Sequence, residues 1–266
     1  MTRRLAGFII DCAETDLASA SCFWSQALGL PVLDPDEAAE GRYAVLGSGA
    51  GGLHIEVQVV GHESRLHLDI EADDIEAETT RLEALGAKRI SNPNGRWWIM
   101  QAPSGHRFCV IRWRERELPT PPVSVSAKDR HHSALVALVL DCRADALDDA
   151  LEFWSAALQR PIVSRDQDGD GKYAELQTAE DEPFLLLQKV EHNPRVHLDI
   201  ETDDLDAEVA RLETLGAQRV KFVSRWWVMQ APTGHRFCVV RQQPQKVGIR
   251  LDASPDVPAS ARIPTA

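Results

Sequence analysis

HLDIEADDIEAETTRLEALGAKRI, residues 67–90, returns as HLDIETDDLDAEVARLETLGAQRV at 197–220. In it a strand of alternating polar and apolar residues runs into a helix, and the chain writes that pair twice. Downstream, RWWIMQAPSGHRFCVIR (96–112) becomes RWWVMQAPTGHRFCVVR (225–241). Upstream, IIDC…FWSQALGLP (9–31) becomes VLDC…FWSAALQRP (139–161), and RYAVL (42–46) becomes KYAEL (172–176). The spacing is 130 residues, slipping to 129 after one deletion near residue 95. Solenoid units run roughly 20–50 residues, so a repeat this long is a duplicated domain. Two similar sites follow, and a residue needed in both should appear in both.

Each copy parses as β-α-β-β-β-α-β-β. In the first, Leu5–Cys12 is an apolar strand, and Asp16 can cap the helix after it. Leu17, Ala20, Phe23, Trp24, Ala27 and Leu28 form that helix's apolar stripe, and Gly29 suits the position past its end. Tyr43–Leu46 and Leu53–Val60 read as strands joined by the turn GSGAGG. Arg65–Glu71 is another strand. Asp73 or Asp74 caps a second helix, with Ile75, Leu82 and Leu85 inward and Gly86 closing it. Trp97–Gln101 and Arg107–Arg112 make a final hairpin around APSGH. Both helices of this copy end alike, at Ala27-Leu28-Gly29 and Ala84-Leu85-Gly86, so each half reads as two β-α-β-β-β modules. The expected organisation is α+β: one domain over 1–113, a Pro-rich charged linker over 114–130, a second domain over 131–242 and a flexible tail over 243–266.

A chain of 266 residues, 44% apolar and 26% charged, suits two soluble domains, each large enough for its own core. Net charge of −12 argues against nonspecific nucleic-acid binding or docking on an anionic membrane. The five cysteines contain no CxxC pair, and an odd count without a secretory signal suits a reducing compartment. The N-terminal apolar stretch is too short for a signal core or a span. A cytoplasmic location is expected. No P-loop, G-x-S-x-G or H-E-x-x-H occurs.

In His67-Leu68-Asp69-Ile70-Glu71, Leu68 and Ile70 can pack under the helix, which leaves His67, Asp69 and Glu71 on the other face. His197, Asp199 and Glu201 repeat them. Such a face meets solvent, holds a structural His–Asp pair or lines a polar cavity, and the recurrence marks a constraint shared by both halves. His54, Glu56 and Gln58 also share a face, but their counterparts are Phe184, Leu186 and Gln188. His54 and Glu56 could ligate a metal with His67. The mismatch favours ordinary exposed strand residues unless only the first half is active. If Phe108 and Val110 pack beneath the helix, Arg107 and Cys109 face the cavity, as do Arg236 and Cys238. Such a cysteine is a thiolate ligand, a nucleophile or a small buried apolar residue, and the last is favoured because no histidine sits at dyad spacing. One tryptophan of each pair, Trp97-Trp98 and Trp226-Trp227, must face outward and could wall an organic ligand. Tyr43 and Tyr173, the only tyrosines, could donate to a ligand carbonyl or anchor a strand.

Together, DC…FW…ALG, HLDIEADDIEAETTRLEALGA and WWIMQAPSGHRFCV make each half resemble a glyoxalase-like domain. The superfamily is the vicinal oxygen chelate (VOC) one, which includes glyoxalase I, bleomycin-resistance proteins and extradiol dioxygenases. The resemblance implies paired modules curled into a U-shaped sheet around a cavity, with metal ligands drawn from the first and last strands of each module. By it, His67 and His197 fall at the ligand-histidine position and Cys109 and Cys238 replace the ligand glutamate. The remaining position is Glu56 in one half and Leu186 in the other, and Leu5–Ile10 and Leu135–Leu140 offer no usual ligand. It thus implies a protein that binds a small organic molecule, without a complete catalytic metal site and with no cofactor. The ligand would be lined by Tyr43, Gln58, His67, Trp97 and Arg107, and by Tyr173, Gln188, His197, Trp226 and Arg236. The alternative is a metal-dependent enzyme of glyoxalase, lyase or dioxygenase type, active mainly in the first domain. Its Fe, Mn, Ni or Zn ion would sit on His67 and Glu56, with His54 or Cys109 third. A metal-free enzyme would use His67 with Asp69, or His197 with Asp199, as an acid–base pair. Neither nucleic acid nor membrane is an expected partner. The chain is expected as a monomer, an intrachain pseudo-dimer, or as a homodimer.

Overall fold

The computed structural model describes residues 2–13, 15–33, 43–47, 52–112, 131–165, 172–180 and 182–242. The expected linker and tail, and most of the GSGAGG turn, lie outside them. The first half runs β1 (Arg3–Ala13), α1 (Leu17–Leu28), β2 (Tyr43–Leu46), β3 (His54–Val60), β4 (Arg65–Ala72), α2 (Ile75–Ala84), β5 (Lys88–Ser91), β6 (Trp98–Gln101) and β7 (Arg107–Arg112). The second runs β8 (Ser133–Arg143), α3 (Leu147–Leu158), β9 (Ile162–Arg165), β10 (Tyr173–Leu176), β11 (Phe184–Val190), β12 (Arg195–Thr202), α4 (Leu205–Thr214), β13 (Gln218–Val223), β14 (Trp226–Gln230) and β15 (Arg236–Arg241). The helix signals act as expected. The Asp16 carboxylate accepts from the Ser19 N–H, and that of Asp74 from the N–H groups of Glu76 and Ala77. Gly29 ends α1 at φ 65°, a conformation that Gln159 adopts at φ 54° in the second copy.

Three strands escaped the pattern: β5, β9 and β13. Each lies at a sheet edge and is largely exposed, so no buried alternation announces it. The sheets have seven strands, in the order β2-β3-β1-β4-β7-β6-β5, and eight, in the order β13-β14-β15-β12-β8-β11-β10-β9. In the first, β1 runs parallel to β3 and antiparallel to β4, and β4 runs parallel to β7; the second repeats this. The fold is therefore α+β with two modules per half. At Gly7 of β1 an added Cβ would lie 1.8 Å from the His54 backbone oxygen of β3, so only glycine allows this approach. Among the described residues no helix is long and apolar enough to cross a membrane.

The buried apolar residues of the two halves meet in one cluster. Phe23 and Trp24 of α1 pack on Phe237 of β15, with ring centroids 6.5 and 6.0 Å away. Phe153 and Trp154 of α3 pack likewise on Phe108 of β7. Each first helix rests on strands of its own sheet, α1 on β2 and β3 and α3 on β8 and β11, and its aromatic pair reaches across to the other half. Polar contacts also cross between the halves. Arg81 donates to the Ala156 and Ala157 carbonyls ending α3, and Arg211 to those of Gln26 and Ala27 ending α1. His106 joins the Arg195 carbonyl at 3.2 Å and the Ser104 hydroxyl at 2.9 Å, while His235 joins the Arg65 carbonyl at 3.1 Å.

Two predictions follow from these contacts. Burial pushes the His106 pKa down from 6.5 to about 4, although the Arg195 carbonyl and Asp141 favour its charge, and burial lowers His235 in the same way. The unfolded chain therefore takes up the proton first, and stability present above pH 6.5 is lost as pH falls toward 4, by about 3 kcal/mol for His106. Thermal melts across that window should show the loss, and His106→Gln should flatten the slope; an unchanged slope would refute the assignment. Gly7→Ala should destabilise by about 1–3 kcal/mol in denaturant titration, because β3 must move away.

Candidate metal centres

The face of each sheet away from the helices carries its polar residues in three cross-strand rows, set by register. In the first half the rows are Gly7, His54, Asp69 and Cys109; Val45, Glu56, Ile9 and His67; and Tyr43, Gln58, Asp11 and Arg65. In the second they are Phe184, Ala137, Asp199 and Cys238; Glu175, Leu186, Val139 and His197; and Tyr173, Gln188, Asp141 and Arg195. His67, Asp69, Cys109, His197 and Cys238 are all buried, which a flat open face would not permit. The sheets curl around them.

Adjacent rows bring His67, Asp69 and Cys109 together, with one ligand atom from each within 4.8 Å of the others, and His197, Asp199 and Cys238 do the same. Among the described residues these are the groups of three or more with metal-ligand chemistry in such reach. The orientation comes from a residue the sequence reading passed over. Asp11, fully buried at the end of the apolar run of β1, accepts from the His67 Nδ1 at 3.0 Å, and Asp141 from the His197 Nδ1 at 3.2 Å. With the Nδ1 proton donated there, each Nε2 points at an Asp oxygen, 3.4 Å from Asp69 Oδ1 and 3.3 Å from Asp199 Oδ1. Both of those oxygens are buried without a hydrogen-bond partner. An imidazole nitrogen, a carboxylate oxygen and a sulfur thus converge, and the set fits a divalent ion of the zinc kind. The histidine held by a carboxylate through its far nitrogen is the usual support of a metal ligand. Asp11 and Asp141 were legible as an acidic residue recurring inside an apolar strand, IIDC and VLDC.

The electrostatics agree. Burial disfavours charge on His67, but the Cys109 sulfur and the Asp11 and Asp69 carboxylates outweigh it and hold its pKa well above the ordinary value. His197 is raised likewise, with Asp141, Asp199 and Cys238 overcoming burial. Asp11 and Asp141 are lowered: burial opposes, and their histidine and arginine neighbours prevail. Burial raises Cys109 and Cys238. Each site attracts positive charge, a proton or a metal ion.

The other expected residues divide. His54 and Glu56 bond to one another and lie beside the triad rather than in it. Their places in the second half hold Phe184 and Leu186 on the same face, so the two sites differ in one wall. Gln58 donates to Asp11, whereas Gln188 turns to the Tyr173 hydroxyl at 3.3 Å, leaving Asp141 Oδ1 buried and without a partner. Tyr43 and Tyr173 stand in the third row. Trp226 shares a face with Cys238 by alternation along β14 and β15, and Trp97 occupies the matching place beside β6. Trp98 and Trp227 turn the other way, packed against the core under Arg89 and Arg219. Arg107 and Arg236 flank the cysteines on the open face.

Comparisons with known proteins accord with this geometry. The family described as glyoxalase-like domain matches residues 7–111 and 137–240. No curated protein sequence matches significantly. The Mn(II)-bound glyoxalase from Novosphingobium aromaticivorans is 17% identical, with TM-score 0.57 over 90% of this chain and 83% of its own. The 2,3-dioxygenase LapB from Pseudomonas sp. KL28 is 15% identical, with TM-score 0.59 over 90% and 92%. The 2,2',3-trihydroxybiphenyl 1,2-dioxygenase from Sphingomonas wittichii strain RW1 is 17% identical, with TM-score 0.58 over 91% of each chain. Such low identities speak for the fold alone. The chain belongs to the glyoxalase-like domain family, with two of its domains in tandem.

Proposed function

We propose that each half holds a divalent metal ion on its His–Asp–Cys triad and binds a small oxygen-bearing organic molecule there, with catalysis centred in the first half. The recurrence in both halves of a buried Asp oxygen facing a histidine nitrogen, with a cysteine sulfur in the same reach, carries this reading. Counting only the superfamily's ligand positions leaves each site incomplete; Asp69 and Asp199 supply the third donor. Three protein donors with an open position is the usual catalytic pattern. When bound, the ion would polarise a ligand oxygen. The thiolate favours zinc or cobalt over manganese.

The first half adds a group able to hold and move a proton. The His54–Glu56 pair stands beside the triad, and His54 Nδ1 is buried without a partner. Phe184 and Leu186 provide nothing comparable, so the second half is read as a binding site. A metal-free reading draws support from the raised pKa of His67, which suits an imidazolium between Asp11 and Asp69.

Elemental analysis of untagged protein purified without chelators separates the two. About two equivalents of metal per chain are expected, one per triad, and His67→Ala should leave about one. A chain that takes up none after loading with zinc or cobalt returns the metal-free reading. Removing the supporting carboxylate, Asp11→Ala, should weaken the first site alone by about 10–100-fold in competition with a chelator, and Asp11→Asn should weaken it less. Equal affinity in all three proteins would show that Asp11 does not orient His67.

A further inference from the structure

Arg107 and Arg236 occupy equivalent places two residues before Cys109 and Cys238, on the same face of β7 and β15. Two residues of strand span about 7 Å, within reach of a guanidinium. Neither side chain makes a hydrogen bond or ion pair among the described residues, and Nη1 of each is buried without a partner. A buried guanidinium nitrogen left bare in one half would be a curiosity; its repetition in both marks a shared purpose, since leaving such a group unpaired is costly.

Charge counting points the same way. In the second half Asp141 is matched by Arg195, at 2.8 Å. A divalent ion would be matched by Asp199 and a Cys238 thiolate, which leaves the Arg236 charge unmatched. In the first half Asp11 is matched by Arg65, at 3.0 Å, and Glu56 bonds to His54 rather than to Arg107. Arg107 also lines a cleft of about 650 Å³ between the halves, together with Arg65, His192 and Arg195, so a small solute can approach it from solvent.

Resting on the metal-site reading, we infer that the ligand of each half is a small organic monoanion. Its carboxylate is held by Arg107 or Arg236, and a second oxygen is directed to the triad. A guanidinium presents paired N–H donors that match a carboxylate, and burial strengthens the pairing. A neutral ligand of the same size leaves the arginine bare and is rejected.

The test uses the cobalt-loaded full-length chain, with glycolate as the anionic probe and ethylene glycol as its neutral counterpart, followed by calorimetry and by the cobalt visible spectrum. Glycolate should bind saturably and ethylene glycol should not. R107M and R236M should each weaken glycolate at one site by about 10–100-fold while cobalt content stays unchanged. R107K and R236K should fall between, and they decide the matter if a methionine variant loses cobalt or folds poorly. Glycolate binding at wild-type strength in the variants, equal binding of ethylene glycol, or no saturable glycolate binding to the loaded wild type would each overturn the inference. A chain that takes up no cobalt yet binds glycolate in an arginine-dependent way would sink the metal reading and leave this one standing.

Discussion

A carboxylate withdrawn from water must be surrounded by donors or protonated, and that requirement organises both halves of this chain. Asp11 sits in an interior strand of its sheet with no exposed surface, and Asp141 repeats it. Around Asp11 stand Gln58 from one neighbouring strand and Arg65 and His67 from the other. One side chain thus ties three strands together, sets the tautomer of the site histidine and fixes the arginine at the inter-half cleft. The triad depends on it: without an acceptor at Nδ1, the histidine would be free to present either nitrogen.

The second constraint is the aromatic seam between the halves. The tryptophan of each first helix reaches the last strand of the other half, and each site cysteine lies one residue beyond the phenylalanine it meets there, Cys109 after Phe108 and Cys238 after Phe237. Arginines from α2 and α4 then close the carbonyl ends of α3 and α1. The sites look outward from a core that neither half owns.

Much of this could be read from the residues. Alternation in His67-Leu68-Asp69-Ile70-Glu71 put the polar triplet on the open face, and Gly29, Asp16 and Asp74 punctuated the helices as their chemistry demands. Three of the four edge strands could not be read; Lys88–Ser91, for one, is largely exposed and leaves no period. Nor could the triad be counted. Asp69 meets Cys109 only because β4 and β7 run parallel in a particular register, a relation between segments about forty residues apart that no local pattern encodes. Asp11 carried a signal in its recurrence, yet an acidic residue at the end of an apolar strand reads as easily as the start of a turn. The apolar stripe of α1 announced burial without naming its partner.

The aromatic seam gives each half a part in the support of the other's site. Trp24 touches Thr233, His235 and Phe237, and its indole N–H donates to the Thr233 hydroxyl, so the first helix of one half forms the floor beneath the other half's cysteine. Inheritance of function therefore does not follow the repeat boundary. A change in residues 17–28 would be felt at Cys238, and one in residues 147–158 at Cys109. Each site thus leans on side chains more than a hundred residues away in the sequence.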